Sequence, residues 1–378
     1  MITVLQFISS LSDGGAETLV KDYGILFKRH SELQIRCVLV TLHNVKDSAN
    51  YKRLQNSGVE IVSIYNRHNK LISLHRQLFG SWYVPRRLSW IIEKYQPAAI
   101  HVHLGLLRYL LPISNRLKNI KLLYTCHNEP AVMFGHGNGE KEAAAFLIKN
   151  NNLQMIALHE EMRAQLNSMF GIDNTIVVNN GVDFTSFREI KENKDQIRMG
   201  LNIPKDAYVV GHIGRFTNQK NHLFLIEIFA KLYEKNRDSF LLLIGTGPTR
   251  EKVVQKALEL GVQERMLILS NRTDIPQLLK CMDVFVFPSL FEGLSVTLVE
   301  AQVSGLRCVI SDTIKPNNVL VESTVQVPLE SSIDEWCDAI LDVNRRSMSH
   351  YDISGFDMNK IVEYLAKLYK NNKYGKNF

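Results

Sequence analysis

Short apolar segments rich in β-branched residues alternate with helical patterns along most of the chain, in two successive arrays. In the first array, strands are predicted for TVLQFISS, QIRCVLVTL, AAIHVHL, KLLYTCH, LQMIALH and TIVVNNGV. In the second, they are predicted for AYVVGHIGR, FLLLIGTG, RMLILS, DVFVFPS and CVISD. Such segments, bounded by turn residues, are typical of parallel strands buried on both faces. The pattern predicts an α/β protein with two doubly wound, Rossmann-like domains that face a cleft.

The length of 378 residues suits two domains, each large enough to bury its own core. We expect an N-terminal domain over residues 1–183 and a C-terminal domain over 184–355. The polar stretch FTSFREIKENKDQIRMGLNIPKD is expected to be the linker and lead-in to the second domain. The C-terminal helix, 356–378, is expected to pack back on the first domain.

The net charge of +7 is confined to the first half of the chain. Residues 1–180 hold 20 Lys and Arg against 13 Asp and Glu, whereas residues 181–378 hold 25 of each kind. Residues 66–90 add four aromatic rings to five basic residues and contain no acid. This composition suits an anionic membrane surface or a core helix with solvated cations, and both remain open. Nucleic acid is not expected as a partner, since no recognition motif is present.

The compartment is predicted from what the sequence lacks. The N-terminal segment MITVLQFISS has neither the basic start nor the small-residue cleavage site of a secretory signal, and no apolar run is long enough to span a bilayer. We therefore expect a cytoplasmic protein, with peripheral placement at the inner face of the cell membrane left open. The five cysteines are scattered without a C-x-x-C pair, and the histidines include no H-E-x-x-H, so no metal site is predicted.

The segment VVGHIGRFTNQKNHLFLIEIF places Arg215 and Lys220 at a strand-to-helix turn. Two cations beside a helix start suit a diphosphate, because backbone N–H groups and the helix dipole act in the same direction. Two solvated surface charges are the alternative. Gly245 and Gly247, after the next strand, permit close approach of a ligand, although a tight turn explains them equally well.

The segment MDVFVFPSLFEGLSVTLVEAQVSG contains a carboxylate in a loop and a second one inside the following helix. Glu292 and Gly293 precede a helix that starts near Val296, whose free N–H groups suit an anion. Glu300 lies about one turn further and can accept two hydrogen bonds from a ribose diol, which would offset the cost of burying it. A dipole-stabilised Glu292 and a surface Glu300 are the alternatives. Together with the upstream cations, the combination favours a nucleotide diphosphate-sugar.

These motifs resemble those of the retaining glycosyltransferases with the GT-B fold, family 4. The spacing of Glu292 and Glu300 is similar to that family's Glu-x7-Glu motif, and further matches occur in the same order along nearly the whole chain. They are Gly14-Gly15-Ala16-Glu17, Thr125-Cys126-His127-Asn128, Asn180-Gly181-Val182-Asp183, Gly214-Arg215 with Lys220, Gly245-Thr246-Gly247 and Asn271-Arg272-Thr273-Asp274-Ile275-Pro276. The set most resembles bacterial enzymes that build exopolysaccharide, capsule or O-antigen. Ser295, Arg307 and Asn179 stand where relatives often carry proline.

The resemblance implies roles at the donor phosphates. Arg215 and Lys220 would hold the diphosphate and stabilise the leaving group. Backbone amides would meet the phosphates at Leu294, Ser295 and Val296. Gly293 would let that backbone approach.

For the rest of the donor, the resemblance implies that Glu300 binds the ribose and Glu292 contacts sugar hydroxyls near the reacting carbon. Arg272 would lie near the nucleobase. Gly14 and Gly15 would bring a first-domain loop to the donor and acceptor. His127 would contact the sugar or the transferring centre, with a satisfied strand-end histidine as the alternative.

The implied reaction is a metal-independent, retaining transfer from a nucleotide-sugar, a UDP-sugar in our prediction, to a sugar or lipid-linked oligosaccharide in surface polysaccharide synthesis. No further cofactor is required, and no D-x-D motif occurs. Whether Glu292 acts as nucleophile or ligand stays open. Two other functions also remain open: a nucleotide-sugar epimerase and a non-catalytic nucleotide-sugar-binding subunit.

Overall fold

The computed structural model describes residues 1–12, 14–65, 70–135, 137, 139–293, 295–347 and 352–371, with backbone alone for 70–77. The chain forms two compact units. The first contains Met1–Gly181 together with Met358–Phe378, and the second contains Val182–Asp357. Each unit is built around one parallel sheet, so the predicted pair of doubly wound, Rossmann-like domains is confirmed.

The first sheet has seven parallel strands in the order β3-β2-β1-β4-β5-β6-β7. The strands are β1 (Ile2–Ile8), β2 (Ile35–His43), β3 (Glu60–Tyr65), β4 (Ala99–His103), β5 (Lys121–Thr125), β6 (Gln154–Ala157) and β7 (Ile176–Val177). The order runs outward from β1 in both directions, which places a crevice at the carboxyl ends of β1 and β4.

The helices of the first unit connect these strands. They are α1 (Gly15–Arg29), α2 (Ala49–Asn56), α3 (Lys70–Tyr95), α4 (Pro130–Phe134), α5 (Glu140–Asn151) and α6 (Glu160–Phe170). Each strand is followed by a connection that returns to the amino edge of the sheet, as parallel pairing requires.

The second sheet has six parallel strands in the order β10-β9-β8-β11-β12-β13. The strands are β8 (Tyr208–Ile213), β9 (Ser239–Ile244), β10 (Met266–Leu269), β11 (Val284–Phe287), β12 (Arg307–Ser311) and β13 (Thr324–Val327). The helices are α7 (Phe184–Arg188), α8 (Lys194–Gly200), α9 (His222–Lys235), α10 (Arg250–Glu259), α11 (Ile275–Lys280), α12 (Val296–Val303) and α13 (Ile333–Leu341). Here β8 and β11 are the adjacent strands from which the order runs outward.

The stretch that was expected to be the linker and lead-in to the second domain lies at the start of the second unit. It contains α7 and α8, and α8 starts with a capping box between Asn193 and Gln196. Phe187, Ile197 and Leu201 pack against the core of the second unit. The few apolar residues of this polar stretch fall on the buried side of two short helices.

The C-terminal helix α14 (Met358–Lys370) belongs to the core of the first unit. Ile361, Leu365 and Tyr369 pack with residues of α1 and the first sheet. The ammonium of Lys121 donates hydrogen bonds to the carbonyl oxygens of Leu368 at 2.6 Å and Asn371 at 2.9 Å. The helix is therefore held both by its apolar face and at its last carbonyls.

Among the residues that the structure describes, no helix combines the length and apolar character needed to cross a membrane.

Candidate functional site

The strand-to-helix turn after β8 carries Arg215 and Lys220 as predicted. Arg215 is exposed, and Lys220 ends a short 3₁₀ turn, Asn218–Lys220, just before α9. Asn221 joins the two with a left-handed backbone (φ 55°), a conformation that asparagine tolerates better than most residues. The turn therefore leaves the Arg215 side chain in solvent and places Lys220 against the protein.

Lys220 and Glu292 form an ion pair across 72 positions of sequence. The Nζ of Lys220 lies 2.7 Å from Oε1 of Glu292, and the two side chains are only 15% and 8% exposed. The ammonium also lies 4.5 Å from the ring centroid of Phe287 at the end of β11. The loop carboxylate is therefore paired with one of the two predicted cations, which satisfies a charge that would be costly to bury alone.

Two further hydrogen bonds join the same two loops. The backbone N–H of Leu290 donates to the carbonyl of Gln219 at 2.8 Å. The Nε2 of Gln219 donates to the carbonyl of Phe291 at 2.9 Å. The loop before Glu292 and the turn before Lys220 consequently form one unit beyond the carboxyl ends of β8 and β11.

Gly245 and Gly247 provide a close approach between backbones. A Cβ at Gly245 would lie 2.0 Å from the carbonyl oxygen of Gly214, and one at Gly247 would lie 2.3 Å from that of Phe216. Both have positive φ, 155° and 154°. The N–H of Phe216 also donates to Thr246 O at 2.8 Å. These glycines therefore have a structural role, which is to set the loop after β9 against the loop that carries Arg215.

Gly293 differs from those two glycines, because no atom of the described residues, apart from its chain neighbours, lies within 4 Å of a Cβ built there. Its backbone is open to a ligand and sits next to the start of α12. Ser295 is the N-cap residue of that helix but makes no capping hydrogen bond through its side chain, and its N–H donates to Oδ1 of Asn318 at 3.2 Å. Val296 is the first helical residue. The predicted amide Leu294 lies outside the described residues.

Glu300 lies inside a helix, as the pattern predicted, and Arg272 lies in the loop after β10. Glu300 is partly buried in α12, the fifth residue of that helix. Arg272 lies just before α11, and its Nε donates to Oδ1 of Asp274 at 2.8 Å, with a second bond from the guanidinium to Oδ2. The hydrogen bonds from Arg272 lower the pKa of the Asp274 carboxyl. The guanidinium therefore already has a carboxylate partner, which sequence reasoning did not predict.

In the first unit, Gly14 and Gly15 form the start of α1, with Gly14 as the N-cap. Among the described residues, apart from its chain neighbours and the nearby backbone of the helix, nothing lies within 4 Å of a Cβ at Gly15. Glu17 folds back over Gly14, and its Oε1 accepts a hydrogen bond from the Ser12 hydroxyl at 3.0 Å. The N–H groups of this first turn can meet a hydroxyl oxygen beside the Glu17 carboxylate.

His127 follows β5 and is partly buried. Its Nε2 lies 2.9 Å from Nδ1 of His103, a residue of β4, and no sequence pattern predicted this contact. Burial lowers the pKa of His127 to about 4, so the ring is neutral at neutral pH. A neutral imidazole presents one donor and one acceptor, so the site histidine can exchange a hydrogen bond with a hydroxyl without adding charge.

Two family models match the chain in succession. The model described as Glycosyltransferase Family 4 matches residues 14–186, and the model described as Glycosyl transferases group 1 matches residues 193–346. EpsF of Bacillus subtilis is 28% identical over 344 residues, which cover 89% of this chain and 86% of that protein. The Escherichia coli UDP-Gal:alpha-D-GlcNAc-diphosphoundecaprenol alpha-1,3-galactosyltransferase is 29% identical over 231 residues, 57% of this chain and 59% of that enzyme.

The fold is also shared with solved structures. The crystal structure of HepE from Anabaena in complex with UDP and glucose superimposes with a TM-score of 0.67 at 18% identity, covering 97% of this chain and 95% of that one. This confirms the GT-B fold. With both family models matched in order over most of its length, the chain is a glycosyltransferase with a family 4 domain followed by a group 1 domain.

Proposed function

We propose that this protein is a retaining, metal-independent glycosyltransferase that moves a sugar from a UDP-sugar to a growing, lipid-linked glycan during bacterial surface polysaccharide synthesis. In the reaction, the bond between the anomeric carbon and the β-phosphate oxygen breaks, and the nucleoside diphosphate keeps the electron pair. The anomeric carbon forms a bond to the oxygen of an acceptor hydroxyl, and the proton of that hydroxyl passes to the leaving diphosphate. An α-linked donor gives an α-linked product.

The observation that carries this proposal is the Lys220–Glu292 pair beside the open start of α12. Negative charge develops on the leaving diphosphate, and positive charge develops on the anomeric carbon. The ammonium of Lys220, the exposed guanidinium of Arg215 and the first amides of α12 suit the first charge. The carboxylate of Glu292, held 2.7 Å from that ammonium, suits the sugar hydroxyls next to the second.

The remaining donor contacts follow from the same placement. Glu300 would accept hydrogen bonds from the ribose diol, and Arg272 would lie at the nucleobase with Asp274 fixing its plane. Gly293 would let the backbone approach the phosphates. UDP is favoured because HepE of Anabaena, which shares the fold, is in complex with UDP and glucose.

His127, Gly14 and Gly15 would serve the sugar and the acceptor. The first turn of α1 would face the donor sugar or acceptor, and His127 would hydrogen bond a sugar hydroxyl through its Nδ1 atom. A lipid-linked acceptor is supported by the E. coli relative, whose name gives a diphosphoundecaprenol-linked sugar as acceptor.

Helix α3 supports peripheral contact with an anionic membrane. Trp82 and Trp90 are 59% and 47% exposed and lie two turns apart on the helix. Arg86 and Lys94 follow them, with the guanidinium of Arg86 3.8 Å from the ring centroid of Trp82 and Nζ of Lys94 5.4 Å from that of Trp90. Exposed indoles interleaved with cations are suited to a headgroup region.

The experiment for the donor uses a panel of UDP-, GDP-, ADP- and dTDP-sugars with release of free nucleoside diphosphate as readout. Lys220→Met should abolish release and weaken UDP binding. Lys231→Met is the matched control, since Lys231 pairs with Glu234 at 3.0 Å on the exposed side of α9. Wild-type UDP affinity in Lys220→Met would contradict the proposed site.

Two outcomes separate the alternative functions. Interconversion of the donor sugar without acceptor would make the protein an epimerase. Tight nucleotide binding with no transfer to any lipid-diphosphate-linked sugar, under conditions where the E. coli enzyme is active, would make it a binding subunit.

The membrane contact is tested by flotation with phosphatidylglycerol vesicles at low salt. We expect the wild type to float and the variant Trp82→Ser with Trp90→Ser to remain at the bottom. Phe146→Ser, which replaces an exposed aromatic residue of α5, should float like the wild type. Absence of the wild type from the floating fraction would contradict the contact.

A further inference from the structure

Six polar side chains of the first unit, five of them buried, form one connected series of hydrogen bonds, which we call the polar chain. It runs between strands β5, β4 and β1 and helix α14. Its members, in order of contact, are Thr125, His101, Tyr369, Gln6, His103 and His127.

The five contacts of the polar chain are all short. His101 Nε2 lies 2.7 Å from Thr125 Oγ1, and His101 Nδ1 lies 2.7 Å from the Tyr369 hydroxyl. Gln6 Nε2 donates to that hydroxyl at 3.0 Å, and Gln6 Oε1 lies 2.8 Å from His103 Nε2. The last contact joins His103 Nδ1 to His127 Nε2 at 2.9 Å. All members except His127 are buried.

The histidines of the polar chain are neutral. Burial lowers the pKa of His101 to about 3 and that of His103 well below its usual value. The neighbouring histidines act in the same direction. Each neutral ring carries one N–H and one lone pair, so each can donate on one side only.

Because each neutral ring donates from one nitrogen only, the positions of the Gln6 amide oxygen and nitrogen determine the direction of every hydrogen bond in the polar chain. Gln6 accepts through Oε1, so His103 must carry its proton on Nε2. His103 Nδ1 is then a lone pair, so His127 must donate to it from Nε2. On the other side, the Tyr369 hydroxyl accepts from Gln6 and therefore donates to His101 Nδ1.

The direction of these hydrogen bonds determines the tautomer of His127. With its proton on Nε2, the ring presents an Nδ1 lone pair, and no hydrogen bond reaches this atom within the described part of the chain. Such an atom accepts a hydrogen bond from a hydroxyl and cannot donate one. Reversing the Gln6 amide would reverse every bond and give the opposite tautomer, so the amide decides what His127 offers to a ligand.

We propose that Gln6 and Tyr369 are positioning residues that hold His127 as the Nε2–H tautomer, so that its Nδ1 accepts a hydrogen bond from a sugar hydroxyl. The part that concerns the sugar rests on the proposed function, whereas the tautomer does not. Tyr369 acts from the C-terminal helix, which Lys121 holds in place at its last carbonyls. A helix remote in sequence thereby sets the hydrogen bonding of a site residue.

The test is ¹⁵N spectroscopy of the full-length protein labelled at histidine, because the two ring nitrogens report the tautomer directly. The signals of His127 are assigned from the spectrum of His127→Gln. Tyr369→Phe removes the hydroxyl to which the Gln6 amide donates, and so breaks the polar chain at that point. Tyr23→Phe is the matched control, because Tyr23 is equally buried and its ring lies 6.5 Å from that of His101, yet no bond of the polar chain passes through it.

We expect the wild type and Tyr23→Phe to show His127 in the Nε2–H form, and Tyr369→Phe to show a mixture of both forms. Donor turnover in Tyr369→Phe should fall roughly two- to tenfold in kcat with KM unchanged, the effect of one mispositioned hydrogen bond. If Tyr369→Phe does not fold, Gln6→Met breaks the same chain and should give the same mixture.

An Nδ1–H tautomer in the wild type, or an unchanged His127 spectrum in a folded Tyr369→Phe, would overturn the proposal. If the tautomer responds as expected but the wild type binds no nucleotide-sugar, the polar chain stands and the proposed function fails. The two results are therefore distinguishable.

Discussion

Replacing Lys220 and replacing Glu292 should each break the ion pair between them, but with different effects on the stability of the protein. Lys220→Met removes the ammonium and leaves a carboxylate whose side chain is only 8% exposed. Glu292→Gln removes the negative charge but keeps an amide oxygen that can still accept from Nζ. The double variant removes both charges and leaves neither ion without a partner.

The expected magnitude follows from the distance and the exposure of the pair. At 2.7 Å and an effective dielectric constant of about 20, the attraction is roughly 6 kcal/mol before desolvation is subtracted. Loss of one partner costs about 3–5 kcal/mol for fully buried pairs and about 0–1 kcal/mol for exposed pairs. We therefore expect Lys220→Met to lower the unfolding free energy of the second unit by about 3 kcal/mol, and its Tm by roughly 6–12 °C. The double variant should recover most of this loss.

Thermal unfolding of the wild type, the two single variants and the double variant measures the coupling between Lys220 and Glu292. Lys231→Met is the control. The Lys231–Glu234 side chains are 40% and 61% exposed, so this variant should change stability by no more than about 0.5 kcal/mol. Equal Tm shifts in Lys220→Met and Lys231→Met, or a double variant less stable than Lys220→Met, would refute the reasoning.

The same pair predicts an effect on ligand binding. A diphosphate that binds at Lys220 meets the carboxylate of Glu292, which repels it. Glu292→Gln should therefore bind free UDP about fivefold more tightly, the effect of about 1 kcal/mol of lost repulsion, while transfer from the UDP-sugar falls. Calorimetry with UDP tests this, and weaker UDP binding in Glu292→Gln would contradict it.

Two further predictions concern glycines and pH. Gly293→Ala should weaken UDP binding and leave Tm unchanged. Gly247→Ala should lower Tm markedly, because its Cβ would lie 2.3 Å from a carbonyl oxygen. Nucleotide titration measures the first effect and thermal unfolding the second. Burial lowers the pKa of His101, His103 and His212, so the unfolded chain binds more protons below pH 6.5. Stability should be unaffected by these rings above about pH 7.5 and should fall as the pH drops through 6.5, by about 1 kcal/mol per histidine at pH 5.5. Denaturant unfolding across this range measures the loss, and a flat profile would contradict it.

Much of the fold could be predicted because buried parallel strands have a local signal. The apolar runs of β1, β8, β9 and β11 are continuous and end at turn residues, which is what burial on both faces requires. The strands β3 and β13 were not predicted, since their short sequences EIVSIY and TVQV mix polar and apolar residues. The helices α7 and α8 were not predicted within the linker and lead-in stretch, because their apolar residues are few.

The sequence predicted which residues belong to the candidate site, but not which of them contact one another. Spacing placed Arg215, Lys220, Glu292 and Glu300 in their motifs, but the pairing of Lys220 with Glu292 depends on the adjacency of β8 and β11. No local pattern carries that adjacency. For the same reason the sequence did not indicate that Gly245 and Gly247 pack on a neighbouring loop while Gly293 stays open.

The polar chain shows why residues that orient a site are harder to predict than those that line it. Gln6 and His101 are register partners on adjacent strands, and Tyr369 meets both from a helix at the other end of the sequence. Taken alone, each of these residues is a polar side chain on a buried strand or helix, with no sequence signal that links it to the others. Because a buried polar group without a partner costs about 1–3 kcal/mol, such side chains persist when they satisfy one another, and the satisfied set then has few consistent proton arrangements. We therefore expect the polar chain to transmit one arrangement to the partly buried His127, and so to couple the C-terminal helix to the hydrogen bonding of that histidine.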